Sequence, residues 1–214
     1  LILEWLASHS PEQTRILLGN HDVCRIMELK FISDEMFQKA RNWSGTEEAF
    51  VIQFPDIPTI GIAKRDFSSF SEAQRSLIEK LVMDNRVELA IAAKTVSGNP
   101  MLLTHAGVTY RELDLLSITE PSVLNITGQL NSLLTTDISR RLDMFPIHIM
   151  GTSGKEGGGL LYYRPEENRD QWGAKNHRRF HPKVLPKGLL QACGHTQHKK
   201  MKQLFPQLAS GMVP

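Results

Sequence analysis

Short apolar runs that end in polar, glycine-containing turns recur along this chain. The runs are Thr14–Leu18 before Gly19-Asn20-His21-Asp22, Met101–Thr104 before His105-Ala106-Gly107, and Leu189–Cys193 before Gly194-His195-Thr196. Apolar runs of this length, bounded by turn residues, are typical of buried strands. Together with helical patterns between them they predict an α/β fold, in which ligands gather at the carboxyl ends of the strands.

Apolar residues at helical spacing predict helices elsewhere in the chain. The predicted helices are Leu1–Leu6, a segment from about Met27 to Trp43, and a segment from Ser71 to about Lys94 that breaks near Asp84. The segments Phe50–Phe54 and Thr59–Ile62 read as strand or loop beside Pro55 and Pro58. We expect one domain over residues 1–214, with an insertion or cap at about 27–94.

The amino-acid composition excludes few classes of function. The net charge is +2 from 25 basic and 23 acidic residues, and the basic cluster Lys199, Lys200 and Lys202 is too small to favour nucleic-acid binding. No apolar stretch approaches the roughly 20 residues of a membrane span, and Leu1–Leu6 lacks the features of a signal peptide. We therefore expect a cytoplasmic protein that does not bind membranes.

The three strand-ending turns carry the candidate chemistry. Asn20, His21, Asp22, His105 and His195 offer oxygen and nitrogen donors that suit hard or borderline divalent metals. Each turn alone could equally be an ordinary loop with a solvent-facing histidine. Three such turns in one chain favour a shared metal site. The glycine-rich segment Gly151–Gly159 contains GTSGK, but the complete phosphate-binding loop motif is absent, so we interpret it as a plain loop.

The motifs GNHD, THAG and GHT, in this order, resemble the later motifs of the calcineurin-like metallophosphoesterases. The similarity is greatest to the branch that holds Ser/Thr protein phosphatases and bis(nucleosyl)-tetraphosphatases. The segments Leu160–Pro165 and Trp172–Arg178 resemble two further stretches of that branch. The resemblance implies the fold of that family, which is a central β-sandwich flanked by helices.

The resemblance also implies roles for individual residues. Asn20, His105 and His195 would bind one metal, and His21 would be the general acid that protonates the departing alkoxide. Arg178 would hold the phosphoryl oxygens, with Arg179 and Arg164 as alternatives, and Asp22 would support the site. A guanidinium suits this task because its fork of donors matches phosphate geometry.

The implied activity is that of a phosphatase, a metal-dependent phosphoester hydrolase that uses metal-activated hydroxide. The substrate would be a phosphorylated protein or a nucleotide. The complete enzyme would bind two divalent ions of Mn, Fe or Zn, and we expect one ion for the present chain. Such ions lower the pKa of a bound water and neutralise the charge of the displacement.

Two departures from the family pattern leave an alternative open. The motifs D-x-H and G-D-x-x-D-R should precede GNHD, but no aspartate lies ahead of Gly19. We interpret this as an amino-terminal truncation that leaves the fold incomplete at that end. If it is a natural loss, the chain is a non-catalytic phosphate-binding or interaction module. An incomplete sheet would expose an edge strand, so self-association of the chain is also expected.

Overall fold

The computed structural model describes residues 2–26, 32–57, 59–61, 63–64, 71–138, 148–149, 158–165, 179–180 and 185–195. These residues divide into two compact units. The first is formed mainly by residues up to Glu88, and the second begins at Leu89 and includes the described residues from Gly158 onward. Helices and strands are both present, so the expected mixture of helix and sheet is confirmed.

The helices within the described residues are α1 (Ile2–Ser8), α2 (Asn20–Ile26), α3 (Asp34–Arg41), α4 (Glu47–Gln53), α5 (Glu72–Met83), α6 (Tyr110–Leu115) and α7 (Val123–Ile138). The predicted amino-terminal helix is confirmed by α1. The predicted break near Asp84 is also confirmed, because α5 ends there. The chain beyond the break is strand and not helix.

The prediction of a strand or loop at Phe50–Phe54 was wrong, because most of this segment belongs to α4. Thr46 caps the helix by accepting a 3.3 Å hydrogen bond from the backbone N of Ala49, as threonine favours at this position. Phe50 and Phe54, four residues apart, are both buried, whereas Val51 and Ile52 are exposed. The buried residues of this segment are therefore spaced as on one face of a helix.

The helices α3 and α4 share a hydrophobic core within the first unit. Phe50 and Phe54 lie with their ring centroids 5.0 Å apart, and Trp43 meets Phe54 edge to face at 5.7 Å. The buried members of this core are Ile32, Phe37, Ala40, Phe50, Phe54, Ile57 and Ala63. This part of the predicted 27–94 insertion is thus a small helical layer with a core of its own.

The strands within the described residues are β1 (Ile16–Leu17), β2 (Val87–Glu88), β3 (Ala90–Lys94), β4 (Pro100–Thr104), β5 (His148–Ile149), β6 (Gly158–Gly159), β7 (Arg164–Pro165), β8 (Arg179–Phe180) and β9 (Gln191–Cys193). They form a three-stranded sheet in the order β3-β4-β9 and three two-stranded ladders, β1-β2, β5-β6 and β7-β8. The strands predicted before the three polar turns are confirmed as β1, β4 and β9.

The three-stranded sheet of the second unit positions the two later motifs. Its central strand β4 is antiparallel to β3 and parallel to β9, with Thr104 opposite Cys193. Parallel strands end at the same edge of a sheet. The residues that follow Thr104 and Cys193 therefore leave the sheet side by side.

Within the described residues, none of the helices is both long and apolar enough to cross a membrane.

Candidate functional site

His105 and His195 are in direct contact in the second unit. Nε2 of His105 lies 3.1 Å from Nδ1 of His195, and which nitrogen donates the hydrogen bond depends on the tautomers. The ring centroids are 4.9 Å apart and the ring planes are inclined by 63°. The two histidines are 90 positions apart in sequence, and the parallel pairing of β4 with β9 brings them together.

Backbone contacts fix the turn after β4 next to the turn after β9. The backbone N of Gly194 donates a 3.0 Å hydrogen bond to the carbonyl O of His105. The backbone N of Gly107 donates a 3.1 Å bond to Oγ1 of the buried Thr104. Gly107 has φ +107°, a conformation that a residue with a Cβ rarely adopts. Gly107 thus has a conformational role in the turn after β4.

His195 itself has φ +60°, in the left-handed region. Few non-glycine residues adopt this conformation, and it persists only where the surrounding structure holds it. Such residues are enriched at functional sites. The left-handed conformation of His195, just after β9, therefore depends on tertiary contacts.

Two buried tyrosines lie against the histidine pair. The ring of Tyr162 meets that of His195 nearly at right angles, with centroids 6.2 Å apart. Tyr163 packs against Ala106, the residue after His105, and its phenol donates a 2.7 Å hydrogen bond to Oε1 of the buried Glu112. Burial, with the negative charge of Glu112, raises the pKa of Tyr163 well above its ordinary value. The phenol is therefore a hydrogen-bond donor at neutral pH.

The first motif lies in the first unit, at the start of α2. Asn20 is buried, whereas His21 is exposed. Oδ2 of Asp22 accepts a 2.9 Å hydrogen bond from the backbone N of Gly19, which satisfies a donor at the start of the helix. Burial raises the pKa of the Asp22 carboxyl, although the Gly19 amide and the charge of His21 oppose this effect. Asp22 therefore has a structural role in shaping this turn.

The predicted phosphate-binding arginines are only partly described. Arg178 lies outside the described residues, so its role stays a prediction. Arg164 and Arg179 are paired opposite each other in the parallel ladder β7-β8 of the second unit. Neighbouring strands lie about 4.8 Å apart, so these two arginines are adjacent backbone positions. Arg164 also follows directly after the tyrosines that contact His195 and Glu112.

The donor chemistry of the histidine pair fits a divalent metal. Zinc–nitrogen bonds of roughly 2.1 Å at the tetrahedral angle place two ligand nitrogens about 3.4 Å apart. The 3.1 Å hydrogen-bonded separation of the two ring nitrogens is slightly shorter than this. Nitrogen from neutral imidazole suits Zn and Fe, whereas Mn prefers oxygen ligands. Within the described part of the chain, no group of three or more His, Cys, Asp or Glu side chains is arranged to hold a metal. The pair by itself would supply two ligand nitrogens, and the metal site stays a prediction.

Sequence reasoning missed several residues that shape the site. Glu112 could have been found from Thr109-x-x-Glu112, the pattern of a capping box, which the structure forms at the start of α6. Tyr162 and Tyr163 lie in the Leu160–Pro165 segment that the resemblance singled out, but nothing in that segment predicts their contacts. Gln191 carries no local signal, because its partner is distant in sequence.

No protein-family model matches the chain, and comparisons with curated proteins and with solved structures give no match.

Proposed function

We propose that this chain is a metal-dependent phosphoester hydrolase in which His105 and His195 bind one divalent ion. The observation that carries the proposal is the 3.1 Å separation of the two ring nitrogens at the ends of adjacent parallel strands. The reaction class, phosphoester hydrolysis, is inferred from the motifs that resemble those of the calcineurin-like metallophosphoesterases and from the fold that these motifs imply. Mn, Fe and Zn are the candidate ions, and a phosphorylated protein or a nucleotide is the candidate substrate.

Different residues of the chain have different roles in the proposed hydrolysis. When bound, the metal supplies a Lewis acid that lowers the pKa of a water and offsets the phosphoryl charge. The imidazoles of His105 and His195 would hold the ion, and the resemblance implies that Asn20 would add an amide oxygen. His21, whose side chain is exposed, gives a proton to the departing alkoxide.

Arginine binds the phosphoryl oxygens in this proposal. Arg178, Arg179 and Arg164 are the candidates from sequence, and β7 and β8 bring the backbone positions of Arg164 and Arg179 opposite each other. A guanidinium group presents several donors to a phosphate, and its positive charge complements the dianion. Replacing either arginine by lysine would keep the charge and lose the fork of donors.

The first test is the metal content of the chain after dialysis against Mn²⁺. We expect about one ion per chain in the wild type and almost none in the His105→Ala, His195→Ala double variant, because half-formed sites bind metal weakly. His9→Ala is the matched control, because its ring lies against Trp5 and not against another histidine. Asn20→Ala, measured in the same way, tests the ligand role of the amide.

Hydrolysis of an aryl phosphate by the metal-loaded chain is the second step of this test. Turnover that disappears in the double variant and survives in His9→Ala would support the proposal. Specific metal binding without turnover would instead favour the phosphate-binding or interaction module. A folded wild-type chain that binds none of Mn²⁺, Fe²⁺ and Zn²⁺ would contradict the metal site itself.

A further inference from the structure

The side chain of Gln191 binds one backbone residue at two points. Its Nε2 donates a 2.9 Å hydrogen bond to the carbonyl O of Val108, and its Oε1 accepts a 2.9 Å bond from the backbone N of the same residue. Val108 is completely buried. The amide therefore satisfies both backbone groups of a residue that water does not reach.

This contact connects the two chain segments that carry the histidines. Val108 lies three residues after His105, and Gln191 opens β9 four residues before His195. The ladder between β4 and β9 ends at Thr104 and Cys193, so it does not extend to Val108. The Gln191 amide thus holds the segment that follows the His105 turn against the start of β9, a contact that the sheet hydrogen bonds do not make.

We infer that Gln191 is a positioning residue that sets the separation of the His105 and His195 imidazoles. Its effect on metal binding rests on the function proposed above, whereas its effect on the two rings does not. A paired amide fixes both the distance and the rotation of the loop, which a single hydrogen bond would not do. The left-handed backbone of His195 also needs such support, because it persists only when neighbouring contacts hold it.

A backbone hydrogen bond also connects the turn after β4 with the turn after β9. The remaining backbone link between the two turns is the bond from Gly194 N to His105 O, at 3.0 Å. That link lies at one end of the turn, and the Gln191 amide closes the other end. Removing Gln191 would take away both side-chain hydrogen bonds from β9 to Val108, so we expect the His105 ring to shift relative to His195.

The test compares Gln191→Ala with Thr95→Ala. Thr95 is the matched control because its Oγ1 accepts a 3.0 Å bond from the backbone N of Asn99 and contacts Ser97 in the turn between β3 and β4. That turn is at the opposite end of β4 from His105. Each variant loses side-chain hydrogen bonds next to the same three-stranded sheet. Gln191 contacts the segment that follows His105, whereas Thr95 lies at the other end of β4.

The first measurement is made on the metal-free chain by NMR. We expect cross-relaxation between the ring protons of His105 and His195 in the wild type and in Thr95→Ala, and its loss in Gln191→Ala. Amide hydrogen exchange at Val108 should rise about tenfold or more in Gln191→Ala alone, since local opening governs exchange. If the ring contact survives in Gln191→Ala, the inference is overturned.

The second measurement is the affinity for Zn²⁺. We expect Gln191→Ala to bind about 10- to 100-fold more weakly, the usual loss when a group that orients a ligand is removed, with Thr95→Ala unchanged. Equal affinity in Gln191→Ala and wild type would also overturn the inference. If the wild type binds no metal, the proposed function fails, and the ring contact by itself decides the role of Gln191.

Gln191→Glu is a second variant that tests the inference if Gln191→Ala does not fold. A carboxylate retains an acceptor for the backbone N of Val108 but presents an oxygen, not a donor, to its carbonyl. We expect it to fold, with a smaller loss of Zn²⁺ affinity than Gln191→Ala shows. Wild-type affinity in Gln191→Glu would contradict the part of the inference that assigns a role to the donor.

Discussion

The phenol of Tyr163 donates a 2.7 Å hydrogen bond to Oε1 of Glu112, a carboxylate that is completely buried. The other carboxylate oxygen accepts bonds from the backbone N and from Oγ1 of Thr109, at 2.9 and 2.6 Å. A buried charge is stable only when it is well hydrogen-bonded. This cluster therefore anchors α6 to the segment that contacts the histidine pair.

Tyr163→Phe should destabilise the chain by about 1.5–3 kcal/mol, the range for losing a hydrogen bond to a charged group. The free energy of unfolding in urea measures this effect. Tyr110→Phe is the control, because the Tyr110 oxygen only accepts a 3.1 Å bond from the backbone N of Lys187 in an exposed setting. We expect it to cost roughly 1 kcal/mol or less. Equal losses in both variants would contradict the importance of the buried carboxylate.

Alkaline pH should weaken the same cluster. Burial and the charge of Glu112 raise the pKa of Tyr163, so the folded chain keeps a proton that the unfolded chain releases at about pH 10. The stability from this difference is complete below about pH 10 and declines as the pH rises further.

The absorbance of phenolate during an alkaline titration checks this prediction. Among the three tyrosines of the chain, Tyr163 should ionise late, close to unfolding. In Tyr163→Phe the late phase should lose the amplitude of one tyrosine. A late phase of unchanged amplitude in this variant would show that Tyr163 ionises normally.

His21→Ala should affect substrates according to their leaving groups. A general acid typically contributes about 10²- to 10⁴-fold, and we expect a loss of this size with an alkyl phosphate, whose alkoxide needs a proton on departure. An activated aryl phosphate should lose much less. Steady-state kinetics on both substrates measure the contrast, with His9→Ala as the control. Similar losses on the two substrates would rule out the assignment of His21 as the acid.

Two glycine substitutions should have opposite effects on stability. A Cβ on Gly45 would lie 2.5 Å from the ring of Trp43, so Gly45→Ala forces the indole to move and should cost about 1–3 kcal/mol. Gly128 lies inside α7 with no atom near its would-be Cβ, and Gly128→Ala should stabilise the chain by about 0.5–1 kcal/mol.

Thermal unfolding of both glycine variants, followed by tryptophan fluorescence, checks the pair. The fluorescence of the folded state should change in Gly45→Ala, because the indole moves, and stay the same in Gly128→Ala. A Gly45→Ala variant as stable as the wild type would show that Trp43 adjusts at no cost.

Local sequence was enough to predict the elements that precede the candidate site. The strands before His105 and His195 follow from short apolar runs, and the end of α5 at Asp84 follows from a break in helical spacing. The mixture of helix and strand follows from the same patterns. These features depend on neighbouring residues, so a single sequence contains the information.

Local sequence misled at α4, where the run from Phe50 to Phe54 reads equally well as a strand. The helix forms because Thr46 caps it and because the two phenylalanines pack against residues from α3. Short apolar runs are ambiguous for this reason.

Only the tertiary structure decided how the site is assembled. His105 meets His195 across 90 positions, Gln191 binds Val108 across 83, and Tyr163 reaches Glu112 across 51. The sequence named the histidines as candidates because of their turns, and the resemblance marked the segment that holds the tyrosines. It gave no sign of the glutamine or of what the tyrosines contact. Their contacts depend on the parallel pairing of β4 with β9 and on burial, which the whole fold sets and no local pattern records.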